Sequence, residues 1–246
     1  MKVAILSDVH ANLEALVACL AHARREGAEE FAFLGDLVGY GADPCACIDV
    51  VRAHAACGAI VLRGNHDDAA LGGLWADMNP VSRESAIWTR GRLGDAEREF
   101  LAALPYVVAR DDLLFVHASA AEPKDWEYIA GTVAAGRCLA ATGARIVFGG
   151  HVHQPMLYFS ARDTVSAFTP RPGVAVPLSK GRRWLVLGGS VGQPRDGNPA
   201  ACYQLFDGVS RRLTFQRVAY DWITAATKVR SAGLPESLAR RLEHGT

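Results

Sequence analysis

Five times along this chain a short apolar run ends abruptly in a cluster of carboxylate, imidazole or amide side chains, and that recurrence constrains the fold more than any other feature. "AILS" precedes Asp8 and His10, "FAFLG" runs into Asp36, "AIVLRG" precedes Asn65 and His66, "LLFV" precedes His117, and "RIVFGG" precedes His151 and His153. Runs of this length and composition read as buried strands, and the helical patterns between the early ones imply crossover connections in a largely parallel sheet. Ligands of such sheets gather outside the carboxyl ends of the strands, so residues spread over about 145 positions are expected to converge. Five of the eight histidines lie in these places, and glycines at 35, 64, 149 and 150 allow tight exits and close backbone approach.

The intervening stretches supply the remaining elements. After "KVAILS" a helix starts at about Asn12, with Leu13, Leu16, Val17 and Leu20 on one face, and Gly27 stops it. "FAFL" is the second strand, Asp43 and Pro44 are the cap and first position of a helix ending near Gly58, and "AIVL" is the third strand. Residues 67–103 read as helical, with a start at Asp95, until Pro105 ends the pattern. "YVVAR" and "LLFVH" are separated only by Asp111 and Asp112, which implies an antiparallel hairpin. "RIVF" is another buried strand; residues 158–183 carry weak periodicity and read as strands and loops. "WLVLGG", "ACYQLF" and "LTFQRVAY" resume clear strands, the last two joined as a hairpin across Asp207 and Gly208. The tail from Asp221 is helical and is expected to pack back on a sheet. No repeat or linker divides the chain, so residues 1–246 read as a single domain.

Half the residues are apolar, enough for a sizeable core, and the formal net charge is zero. There is then no global field to draw in polymeric nucleic acid or an anionic membrane, and any anionic substrate must be held by a local site. Six scattered cysteines, with no secretory leader, suit a reducing cytoplasm. No apolar run approaches the ~18 residues of a membrane span.

Asp8, His10, Asp36, Asn65, His117, His151 and His153 form a hard-to-borderline donor set without thiolate, which suits Mn, Fe, Zn or Ni. Seven donors exceed one tetrahedral ion and suit two divalent ions sharing a bridging carboxylate, an arrangement that serves in-line displacement at phosphorus. Asp36, alone in a glycine-framed exit, is the reasonable bridge. Taken singly, Asp8 reads as a helix cap, His10 and His117 as satisfied core histidines and Asn65 as a turn residue; the metal reading rests on their alignment.

The order D-x-H, G-D, G-N-H-D, H and G-H-x-H resembles the calcineurin-like metallophosphoesterase superfamily. The wording around it, "SDVHANLEAL", "LGDLVGYGADP", "GNHD" and "GSVGQPRDG", is similar to its bacterial small phosphodiesterase branch. The resemblance implies an α/β fold of two facing mixed β-sheets flanked by helices, a four-layer αββα sandwich. It implies that Asp8, His10 and His153 hold one ion, that Asn65, His117 and His151 hold the other, and that Asp36 bridges. His66 then becomes a catalytic group that hydrogen-bonds a phosphoryl oxygen or protonates the departing alkoxide, with Asp67 orienting it and raising its pKa or capping the next helix. A water shared by the two ions is acidified toward neutrality and serves as the nucleophile. Val152 stands where many members have Thr, which leaves both flanking ligands intact.

The expected reaction is hydrolysis of a small phosphodiester or nucleotide; the alternatives are a phosphomonoesterase or protein phosphatase, and a non-catalytic metal-binding scaffold. A monoesterase calls for extra arginines around the site, so the single main candidate Arg195 tilts the reading slightly toward a diester; Arg63 is the candidate for a second. Substrate contacts are expected from Ser190 and Arg195 in "GGSVGQPRDG", or that stretch is a solvated turn; Asn12 and Tyr40 are candidates to line the pocket, Asn12 equally a helix cap. Trp126 and Tyr128 are read either as a stacking platform for a base or aryl group or as packing under a loop. Specificity is assigned mainly to residues 68–92, 119–132 and 158–183. Cys45 and Cys47 point to different helix faces and form no pair, and His22, His54 and His244 carry no motif, His22 being placed to meet a helix dipole. The oligomeric state is open.

Overall fold

In the computed structural model the described residues are 1–73, 76, 78–162 and 164–246. The chain begins β1 (Lys2–Leu6), α1 (Leu13–Arg25), β2 (Glu30–Phe33), α2 (Pro44–Ala56), β3 (Ile60–Val61) and α3 (Asn65–Leu71), so strands and helices alternate as the apolar periodicities require. Two further helices, α4 (Pro80–Arg90) and α5 (Asp95–Ala103), precede the hairpin β4 (Val107–Arg110) and β5 (Leu113–Val116), then α6 (Thr132–Ala140) and β6 (Ile146–Gly149). β7 (Met156–Ala161), β8 (Thr164–Phe168), β9 (Val176–Pro177), β10 (Arg183–Leu187), β11 (Ala201–Asp207) and β12 (Arg212–Val218) follow, and α7 (Trp222–Ser231) and α8 (Glu236–His244) complete the chain.

The strands form two six-stranded sheets, ordered β3-β2-β1-β11-β12-β9 and β4-β5-β6-β10-β7-β8. Both are mixed: β1 pairs parallel with β2 and β2 with β3, but β11 returns antiparallel to β1. The expectation of a largely parallel sheet therefore holds for β1, β2 and β3 and again for β5, β6 and β10, while antiparallel strands complete both sheets, in the first because the C-terminal hairpin closes it from the other side. Ile5, Leu34 and Phe206 of one sheet meet Phe115, Phe148 and Val186 of the other in a dry layer. The Phe115 and Phe148 rings stack 5.4 Å apart at 18°, and each such fully buried side chain contributes roughly 1.5–3 kcal/mol. α1 and α2 cover the outer face of the first sheet, burying Leu16, Cys19, Ile48 and Val51; α6 covers the second through Ala135, Cys138 and Leu139. The result is four layers, αββα.

Several local expectations change. The helical reading of 67–103 resolves into three helices, the first starting at Asn65; residues 74, 75 and 77 of that stretch, and 163 of the 158–183 stretch, lie outside the described residues. Asp43 holds the N-cap position of α2 without capping it, because its carboxylate takes the Lys228 ammonium of α7 at 2.8 Å. The C-terminal helices do not lie on a sheet. They pack on each other, on α1, and against Tyr40 and Trp88, since the sheet face they would need is already taken by α1. None of the described helices is long and apolar enough to cross a membrane.

Candidate dinuclear metal centre

The polar residues that end β1, β2, β5 and β6, with Asn65 after β3, meet above the carboxyl edges of both sheets. Asp8, His10, Asp36, His117, His151 and His153 are all buried, and Asp8 and His117 are fully so. Five of these residues adopt left-handed backbone: Asp8 (φ 56°), His10 (50°), Asp36 (52°), His151 (65°) and His153 (62°). Each such non-glycine conformation costs on the order of 1–3 kcal/mol and persists only where neighbours over-determine it. Here the exits of β1 and β2 are laced together by Asp8 N–H to Gly35 O (3.1 Å), His10 N–H to Asp36 O (2.9 Å) and Ala11 N–H to Leu37 O (3.0 Å). Gly64 is required by the same crowding, since a Cβ there would stand 2.2 Å from Asp36 Oδ1.

The imidazoles show what the cluster is built to hold. His10 Nδ1 lies 3.2 Å from Val38 O, His153 Nδ1 2.6 Å from Gln193 O, His117 Nδ1 2.8 Å from Leu34 O and His151 Nε2 2.9 Å from Trp126 O. Each carbonyl can only accept, so in the neutral ring it assigns the proton to that nitrogen and leaves a lone pair on the other. The bare Nε2 atoms of His10 and His153 then face each other at 3.0 Å, with Asp8 Oδ1 3.2 Å from His153 Nε2. On the other side, His117 Nε2 lies 3.4 Å from Asp36 Oδ2 and 3.2 Å from Asn65 Oδ1. Acceptors at these distances repel unless positive charge lies between them. They divide into two sets, Asp8, His10, Asp36 and His153 on one side and Asp36, His117 and His151 on the other, and share Asp36. This donor set fits two divalent ions. Asp36 Oδ1 is anchored by His66 N–H at 2.7 Å, and Asp8 receives His151 N–H at 3.1 Å.

The electrostatics have the same origin. Burial opposes the charge on Asp8 and Asp36, yet the facing His153 and His117 hold both below the ordinary carboxylate range. Burial opposes the imidazolium of His117 as well, and the Asp36 carboxylate outweighs it, lifting the pKa to about 9. His151 is depressed to about 3 by burial and by His117, and His66 to about 4 chiefly by burial.

His66 borders a cleft of about 660 Å³ together with Asn65, Tyr128, His151, Arg195 and Arg241. Its ring packs 4.3 Å from that of Tyr40, and Nδ1 has no hydrogen-bond partner among the described residues. Asp67 does not orient it. The Asp67 carboxylate instead accepts backbone N–H groups from Leu37 (2.9 Å), Val38 (3.2 Å) and Gly64 (2.8 Å), so it clamps the β2 and β3 exits together and, at Gly64, caps α3. Nor is the pKa of His66 raised, because burial outweighs the pull of the nearby Asp36 carboxylate.

Asn12 and Ser190 have both polar functions engaged inside the protein. Asn12 accepts from Ala15 N–H at the start of α1 and donates to Gly192 O at 2.9 Å, while Ser190 donates to Asp8 O and accepts from Gln193 N–H, both at 2.7 Å. Arg63 lies outside the cleft lining, where it pairs with Asp68 at 3.1 Å and reaches Tyr106 and Ala102 O. Tyr128 stacks on His151 at 4.0 Å, and Trp126 lends its carbonyl to the same ring. Two residues not singled out in the sequence also shape the site. Gln193 orients His153 through its backbone carbonyl, and Arg241 arrives from α8, far along the chain in an ordinary-looking basic helix. Elsewhere, His22 is held by the Tyr203 hydroxyl at 2.9 Å, and all six cysteines are free thiols.

A fold of two stacked mixed sheets with paired acceptor clusters at their shared edge defines a metal-dependent phosphoesterase architecture, and the family comparison agrees. The calcineurin-like phosphoesterase family matches residues 1–155, and the chain belongs to that family. An uncharacterised protein of Methanocaldococcus jannaschii is 32% identical over 98% of this chain and 96% of its own length. The crystal structure of a metallophosphoesterase from Sphaerobacter thermophilus has 39% identity and a TM-score of 0.89, with 100% of this chain and 99% of that one covered. A hypothetical protein from Pyrococcus horikoshii shares the fold at 21% identity and a TM-score of 0.80, covering 100% of this chain and 98% of its own.

Proposed function

We propose that this chain is a phosphoesterase that uses two divalent transition metals, Mn, Fe, Zn or Ni, to hydrolyse a small phosphodiester or nucleotide. The observation that carries the reading is the pair of acceptor sets meeting at Asp36 beneath an open cleft. Asp8, His10 and His153 would hold one ion, Asn65, His117 and His151 the other, and Asp36 both. Bound there, the ions would acidify a water and draw charge from the phosphoryl oxygens. His66, neutral in its buried setting, offers a ring N–H to a phosphoryl or departing oxygen. Arg195 offers a guanidinium to phosphate oxygens of a substrate held in the cleft. Asn12, Ser190 and Asp67 support the loops that carry these groups. The free cysteines suit a reducing compartment, and we place the protein in the cytoplasm.

A phosphomonoesterase is the second reading, favoured by one observation: Arg241 stands beside Arg195, so the cleft has the second arginine that Arg63 does not supply. The test is hydrolysis of bis-p-nitrophenyl phosphate and p-nitrophenyl phosphate by metal-stripped protein resupplied with Mn, Ni or Zn. Metal-dependent turnover is expected with the diester preferred. His66→Ala should keep both ions and lose about 10²- to 10⁴-fold in kcat, whereas Asp36→Asn should lose metal too. Two bound ions with no turnover of either ester would favour the non-catalytic scaffold.

A further inference from the structure

The cleft contains more fixed positive charge than one phosphoryl group needs. Arg195 and Arg241 come from distant parts of the chain and both donate to Gln193 Oε1, at 3.2 and 3.4 Å. Their guanidinium carbons stand 5.7 and 5.9 Å from the centre of the Tyr40 ring, the ring that packs on His66. Neither forms an ion pair with a carboxylate among the described residues, and Arg195 Nε is buried without a partner. Lys124 lines the same cleft, with Asp125 as the acidic neighbour. Arg195 also donates to the Tyr40 hydroxyl at 3.3 Å, so both guanidinium groups rest on neutral acceptors and repel each other, in a chain whose net charge is zero. The arrangement is stable against that repulsion because it is built in from both sides. Gln193 is 1% exposed and its backbone carbonyl is tied to His153. The end of α8 is locked to the 188–198 turn by Gly197 N–H to Gly245 O at 2.8 Å. Gly245 (φ 69°) lies so close that a Cβ would sit 2.5 Å from the Asn198 carbonyl carbon.

We propose that the Arg195–Arg241 pair is a subsite for a second phosphoryl group, so that the substrate carries two phosphoryl groups, one over the acceptor clusters and one on the arginines. Guanidinium forks match phosphate oxygens bidentately, and two of them sharing one neutral acceptor are completed by a multiply charged anion. A simple diester, with one negative charge and no second anion, leaves the pair unanswered. The inference rests on the phosphoesterase reading for the position of the first group, and it deepens that reading by naming nucleotides with linked phosphates over plain diesters.

Titration calorimetry on the full chain in saturating Mn²⁺ would compare AMP with α,β-methylene-ADP. The two share base and sugar, differ by one phosphoryl group, and the analogue's P–C–P link resists hydrolysis. The parent is expected to bind the analogue about 10- to 100-fold more tightly than AMP. Arg241→Gln should bring that ratio to about threefold or less, and Arg241→Lys should retain an intermediate ratio, with thermal unfolding confirming that each variant is folded. Should Arg241→Gln disturb α8, Arg195→Gln reports the same ratio from the other side of the pair. Equal binding of the two nucleotides by the parent, or an unchanged ratio in folded Arg241→Gln and Arg195→Gln, overturns the proposal. Absence of ester hydrolysis with the ratio intact would instead remove the catalytic reading and keep the anion subsite.

Discussion

Replacing Asp67 by alanine separates two jobs that a buried carboxylate beside a catalytic histidine can have. Its oxygens receive three backbone N–H groups, from Leu37, Val38 and Gly64, and the residue is fully buried. Removing it orphans three donors where water has no access, at roughly 1–3 kcal/mol each. Against that stands relief of its own burial and of repulsion from Asp36, which together push its pKa up to about 7. The net loss expected is about 3–4 kcal/mol. For a chain of this length that lowers Tm by about 10 °C. Asp67→Asn keeps an oxygen for Leu37 and Val38 but turns an NH₂ toward Gly64 N–H, so it should fall roughly midway. Thermal unfolding followed by circular dichroism, with aryl ester kinetics on the folded fraction, measures both quantities. A Tm for Asp67→Ala within about 2 °C of the parent, combined with collapsed kcat, would refute the clamp and restore Asp67 as the group that orients His66.

Resupplying Mn²⁺ at about 100-fold over its Kd should stabilise the metal-stripped protein by about 2.7 kcal/mol per site, a rise of roughly 5–10 °C in Tm. An unchanged Tm across Mn, Ni and Zn would contradict the metal reading of the acceptor clusters. Gly64→Ala places a methyl 2.2 Å from Asp36 Oδ1 and 2.4 Å from Asp36 N, so it should displace the shared carboxylate. Metal content measured by atomic emission should then fall below two ions per chain, and full occupancy would show that the β3 exit yields more easily than its packing suggests. Tyr128→Ala removes the ring stacked on His151. With Trp126 O still orienting that imidazole, metal content should hold while KM for an aryl diester rises a few-fold; loss of an ion would mean the stacking itself positions the ligand.

What could be read along the chain followed from local rules. Apolar runs ending in polar clusters located the strand exits, and the residue types at those exits limited the ligand to hard or borderline cations. Asn12 shows the boundary of such reading: its position before an amphipathic run marks a cap, and the cap is present, but its NH₂ bond to Gly192 depends on a residue 180 positions away. Asp67 shows it again. Adjacency to His66 invited an orienting role, whereas on α3 the neighbouring side chains diverge and the carboxylate turns back to the β2 exit.

The sequence by itself determined the strand–helix alternation, the donor set and its order, and through them the family. Only the tertiary structure decided which nitrogen of each histidine faces the centre, because that choice is made by backbone carbonyls of Val38, Leu34, Gln193 and Trp126, and a carbonyl is the same in every residue. It alone decided that Arg63 leaves the site and Arg241 enters it. Arg63 finds a carboxylate five residues on, and Arg241 is carried in by a helical hairpin whose sheet face was already covered, a matter of which surfaces remain to be buried once the two sheets have closed.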